Sequence, residues 1–246
     1  MGVKIMAKMV SKTAFTIGLL VLLMAVPALG ASINKSVKIA AGEEASGATS
    51  VNGSISVGKD ATVTGNLKTV NGTIRIDAGA VVKKASTVNG GLKLGDNGKA
   101  DNLSTVNGGI RVGEKATVDG DIEAVNGRIS IEKGARIVEN VGNVNGEIEL
   151  TGAQIGGDLS TVNGDIELED SSIVKGDLIV EEPGGWGSNK EKNRIPRVVI
   201  GPGSRVEGTL VLERKVELFI SETAEVGGVS GVMSMDDAVR FSGERP

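Results

Sequence analysis

Apolar and polar positions alternate in very short bursts along most of this chain. Between Gly53 and Gly72 the apolar residues are Ile55, Val57, Ala61, Val63, Leu67 and Val70. Ile55 and Val57 enclose a single polar residue, as do Ala61 and Val63, a period of two that predicts short half-buried strands. Gly58, Lys59 and Asp60, then Gly65 and Asn66, separate the bursts with residues suited to sharp corners. Strands this short bury no face of their own, so each turn of chain must stack on the next.

The pattern returns at a fixed period. Val-Asn-Gly occurs seven times, with asparagines at Asn52, Asn71, Asn89, Asn107, Asn126, Asn145 and Asn163, separated by 19, 18, 18, 19, 19 and 18 residues. That regularity predicts an all-β, single-stranded parallel β-helix (β-solenoid) of about ten coils of 18–19 residues. At the sheet spacing of roughly 4.8 Å, such a rod is on the order of 45–50 Å long. Three inward columns are expected. The first is Ile55, Ile74, Leu92, Ile110, Ile129, Ile148 and Ile166. The second is Val57, Ile76, Leu94, Val112, Ile131, Leu150 and Leu168. The third is Val51, Val70, Val88, Val106, Val125, Val144 and Val162. The Asn-Gly pair suits a corner with left-handed backbone angles. Its repeated amides either form a ladder between coils or simply turn the chain while facing solvent.

Residues 1–31 read as a secretory signal peptide. Lys4, Lys8 and Lys12 precede an apolar run from Ala14 to Val26, and small residues follow, with cleavage expected after Gly30 or Ala31. The run is shorter than the ~20 residues of a membrane span, so no transmembrane segment is expected in the mature chain. The β-helix domain is expected over 32–230, with residues 181–196 as an inserted loop that carries the one tryptophan, Trp186. Residues 231–246 read as a C-terminal cap or tail.

Composition narrows the chemistry. The chain has no histidine and no cysteine, which excludes Ser-His-Asp and Cys-His catalysis and His-ligated zinc. No cofactor and no metal site is expected. A formal net charge of −4 disfavours nucleic acid as a partner. Glu147, Glu149, Asp165, Glu167, Glu169 and Asp170 lie in neighbouring coils, either as a solvated acidic face or as the source of a glycosidase-like pair. The column between the first two inward columns runs Ser56, Arg75, Lys93, Arg111, Ser130, Glu149 and Glu167, basic early and acidic late. Arg75, Lys93 and Arg111 are therefore candidate interaction residues, suited to antiparallel or end-to-end self-association, and Trp186 in the loop is a further candidate, either for ligand binding or as a plug folded back on the coil.

Three segments, Ala61–Leu67, Ala116–Ile122 and Ser204–Leu210, share a small-x-Val-x-Gly-x-Leu/Ile rhythm. In this they resemble the bactofilins, the polymer-forming cytoskeletal β-helix family. Thr161–Leu168 is also similar to secreted bacterial β-helix domains described as adhesin-like and of unassigned function. The bactofilin resemblance implies a right-handed, triangular β-helix that polymerises end to end. The spacing of Ile55, Ala61 and Leu67 would equally suit a left-handed coil. The signal peptide departs from the cytoplasmic bactofilin pattern. The expected function is a non-catalytic, exported structural scaffold of the periplasm or cell surface that self-associates, with the cell envelope or a polysaccharide as a further partner. The alternatives are a surface adhesin or glycan-binding protein and, less favoured, a carbohydrate-active enzyme.

Overall fold

The computed structural model describes residues 31–32, 34–183 and 194–246. The signal-peptide residues 1–30 and Trp186 lie outside the described residues. The described chain is an all-β solenoid of about ten coils, and its one helical element is a single 3-10 turn, Met235–Asp237. Each coil lays down three short strands, and strands of successive coils pair in parallel to make three faces. The first face is a sheet of eleven strands, from Val37–Ile39 to Val239–Phe241. The second and third faces share a seventeen-stranded sheet, because strands such as Val81–Asn89 and Lys99–Asn107 run through the corner between them.

Register is kept coil after coil. Ile55 pairs with Ile74, Ile74 with Leu92, Leu92 with Ile110, and Ile110 with Ile129, and all five are buried. Val57, Ile76, Leu94, Val112 and Ile131 form the next buried column. The pairing passes directly from Ile166 and Leu168 to Val198 and Ile200. The coils on either side of residues 181–196 therefore stack in register without a slip.

Two expectations are corrected. The valines of Val-Asn-Gly are not an inward column: Val51, Val70, Val88, Val106, Val125, Val144 and Val162 are only half-buried. Alternation along the third face fixes the parity. Leu67 points in, Lys68 out and Thr69 in, so Val70 turns outward. The inward column here is Ser50, Thr69, Thr87, Thr105, Ala124, Asn143 and Thr161. Its hydroxyls are tolerated in the core because they find acceptors in the coil before: Thr69 donates to Gly53 O at 2.8 Å, Thr87 to Gly72 O at 2.9 Å, Thr105 to Gly90 O at 3.0 Å, and Thr161 to Asn143 Oδ1 at 2.6 Å.

The second correction concerns the corners. Of the seven Val-Asn-Gly glycines only Gly146 has a left-handed φ, 123°, and none of the seven asparagines does. Left-handed residues mark a different corner, after the first face, at Gly42, Asp60, Gly79, Asn97, Lys115, Gly134 and Gly152. Glycine is required in Val-Asn-Gly by close approach instead. A Cβ at Gly72 would sit 2.2 Å from Gly53 O, and one at Gly127 would sit 2.0 Å from Gly108 O.

Met233, Met235 and Ala238 pack on the core, and Arg245 reaches back to Glu169 at 2.7 Å. One place in the polar column is poorly matched. Asn143 is buried between Ala124 and Thr161, and among the described residues its Nδ2 has no hydrogen-bond partner. A buried, unpaired amide costs about 1–3 kcal/mol. Threonine restores the hydroxyl found in neighbouring coils, so Asn143→Thr is expected to raise stability by about 1 kcal/mol. Thermal unfolding followed by circular dichroism checks this, and an unchanged or lower midpoint contradicts it.

Candidate interaction surface: the amide ladder and the charged face

The seven Val-Asn-Gly asparagines stand in one column at the edge of the first face, and their amides are joined. Asn52 Nδ2 donates to Asn34 Oδ1 at 2.6 Å, Asn71 to Asn52 at 2.7 Å, and Asn89 to Asn71 at 2.8 Å. Asn107 donates to Asn89 at 2.9 Å, Asn126 to Asn107 at 2.9 Å, Asn145 to Asn126 at 2.8 Å, and Asn163 to Asn145 at 3.1 Å. Asn34 is an eighth rung that the motif conceals, since Val-Asn-Gly is absent around it. Its φ of 65° is one that asparagine tolerates better than most residues.

The ladder has a direction and a cap. Every rung donates toward the N-terminal coil, so the last acceptor, Asn163 Oδ1, is left for another donor. Arg214 supplies it: Nη1 donates to Asn163 Oδ1 at 2.8 Å and to Val162 O at 3.1 Å, while Nη2 donates to Arg194 O at 2.8 Å. Arg214 stands in the same column two coils on, as the pairing of Thr161 with Val180 and of Val180 with Leu212 places it. A guanidinium has donors only, so it fixes an oxygen at this end and thereby the orientation of every amide below it. Burial holds the Arg214 pKa below its usual value, partly opposed by the Glu182 carboxylate.

The first face carries the other sequence-predicted residues. Its central outward column is Ser56, Arg75, Lys93, Arg111, Ser130, Glu149 and Glu167, each paired in register with the next. Arg75, Lys93 and Arg111 are exposed. Like charges stacked in adjacent coils repel, a cost that ion pairs partly relieve. Arg111 meets Glu132 at 2.7 Å, and Arg128 bridges Glu147 and Glu149, the latter at 3.2 Å. Asp165 takes Arg194 and also the Arg197 backbone N–H at 2.8 Å. Lys93 and Glu167 have no side-chain partner among the described residues. Burial first, and the neighbouring Glu169 second, raise the Glu167 carboxyl above the ordinary value, with Arg245 and Arg197 opposing.

Four of the six clustered carboxylates, Glu147, Glu149, Asp165 and Glu169, are thus engaged by arginines. A separate depression of about 330 Å³ lies along the corner of the second and third faces. It is lined by Lys68, Lys84, Ser86, Ser104, Asp121 and Glu123, and burial followed by the Asp121 charge raises the Glu123 pKa. Among the described residues no group of three or more Asp or Glu is placed to hold a metal ion, and no helix is long and apolar enough to cross a membrane. Compared with family models, curated proteins and solved structures, the chain matches none.

The ladder and its cap give different expected losses. Asn107→Ala breaks the ladder at an exposed rung and is expected to cost about 1–2 kcal/mol. Arg214→Ala removes three charge-assisted bonds at a partly buried site and is expected to cost about 2–3 kcal/mol. Urea unfolding of both variants checks the pair, and losses of only a few tenths for both contradict an energetic role for the ladder.

Proposed function

We propose that this protein is a non-catalytic, exported scaffold of the cell envelope that self-associates through its β-helix. The observation that carries this reading is the regularity of the outer surface. From coil to coil the same backbone, the same exposed amide and flat strand columns recur at one height, which suits repeated side-by-side or end-to-end contact better than a catalytic cleft. Arginines hold most of the clustered carboxylates that a glycosidase-like pair would need, which also favours a non-catalytic role. The bactofilin-like rhythm at Ala61–Leu67, Ala116–Ile122 and Ser204–Leu210 supports stacking, and the basic-then-apolar N-terminus supports export.

A glycan-binding adhesin is the second reading, favoured by the polar depression lined by Lys68, Lys84, Ser86 and Ser104. Light scattering of the purified protein over a concentration series separates the two. Discrete oligomers or filaments are expected for the scaffold, and a strict monomer that is retained on a polysaccharide array overturns it. Terminal sequencing of the exported protein is expected to start at Ala31 or Ser32, whereas an unprocessed cytoplasmic chain contradicts export.

A further inference from the structure

The first face is complementary to itself when turned end for end about Ser130. In its central column Ser130 is followed outward by Arg111 and Lys93 on one side and by Glu149 and Glu167 on the other. A two-fold axis through Ser130, lying in the face along the strand direction, would place Arg111 opposite Glu149 of a second copy. It would place Lys93 opposite Glu167, two coils or about 10 Å from the axis. Among the described residues neither of these two makes an ion pair, although the charges of Arg245 and Arg197 reach Glu167.

Side-chain size follows the same symmetry as charge. On one flank of the column, Gly109 pairs in register with Arg128, and the coils beyond carry Glu147 and Asp165. The same axis sets Gly109 against Glu147 and Gly91 against Asp165. On the other flank it sets Gly113 against Thr151 and Gly95 against Glu169. The early coils have no side chains where the late coils have acidic ones, so there is room for the partner's carboxylates and for the Arg194 and Arg245 that hold two of them. A parallel pairing would instead set Arg75, Lys93 and Arg111 against themselves, whereas the antiparallel one sets only Arg128 and Glu132, which lie on the axis and are already held in ion pairs, against their own copies.

We propose that two copies of this chain pair antiparallel through their first faces, with Ser130 at the two-fold axis and Lys93 of each copy against Glu167 of the other. This rests on the scaffold reading and names its contact. The face is only a few residues wide, so the pairing is weak and weakens further with salt.

Charge exchange and a single thiol test it. Lys93→Glu and Glu167→Lys each set like charges against each other twice per dimer. Each is expected to shift the association midpoint, measured by sedimentation at low salt, by about tenfold in concentration or more. The double variant restores opposite charges and is expected to return to within about threefold of the parent. The chain has no cysteine, so Ser130→Cys provides its only thiol, and a short bismaleimide that spans the roughly 10 Å between packed sheets is expected to join two copies through it. Ser104→Cys, on the third face, serves as the control and is expected to give no covalent dimer. Self-association that ignores both charge reversals, or that lacks the Ser130→Cys cross-link, overturns this contact but leaves the scaffold reading standing. A monomer at every concentration and salt overturns both and turns attention to an anionic polysaccharide on Arg75, Lys93 and Arg111.

Discussion

Everything in this molecule depends on one close approach. At the Val-Asn-Gly corner each coil lies on the carbonyl of the coil before, with no room for a Cβ: at Gly90 and at Gly108 it would come within 2.1 Å of the preceding glycine's oxygen. That contact sets a common height for the corner. Once the height is fixed, the threonine two residues before Asn reaches the same carbonyl from inside, and the asparagine amide reaches the next amide from outside. In three coils the same glycine carbonyl thus accepts a threonine hydroxyl in the core, while the adjoining asparagines join on the surface. The aliphatic columns of the first face supply the bulk of the burial, but they would tolerate a slip by a coil, since each position repeats the same residue types. The corner contacts share that period, so they enforce level stacking rather than sequence order, and the coils on either side of residues 181–196 stack in register.

The repeat made the fold class and the first-face columns legible, because Ile and Val at spacing two within a fixed period leave few other arrangements. The third column was misread for a simple reason. A three-residue strand has two inward places and one outward place, and the most apolar residue, Val70, lies just beyond its end while a threonine holds the inward place. Burial of a polar side chain on a backbone carbonyl leaves no hydrophobic signal. The left-handed corner was equally hidden: Asp60, Asn97 and Lys115 share its φ with glycines, a mixture that resembles ordinary surface variation. The ladder asparagines were visible as a motif, whereas Asn34 lacks the motif and Arg214 lies 51 residues from the amide that it caps. Only the coil register brings those two into the column.

Charge on the first face is graded along the rod, and much of it is neutralised within the chain. The arginines on the acidic side compensate most of the carboxylates, so what remains is a small, well-separated pair of opposite charges rather than two strongly charged ends. Such a distribution selects orientation more than it adds affinity. A two-fold pairing through this face would close at a dimer, so any longer assembly needs a second contact elsewhere on the rod.

The ladder is the part of this account most open to direct measurement. Asparagine side-chain amide exchange, followed by nuclear magnetic resonance on labelled protein, reads each rung separately. One proton of each Nδ2 at Asn71, Asn89, Asn107 and Asn126 is predicted to exchange far more slowly than in an unfolded peptide, although these residues are exposed. Exchange at the free-peptide rate for both protons at all four rungs would contradict a spine of joined amides.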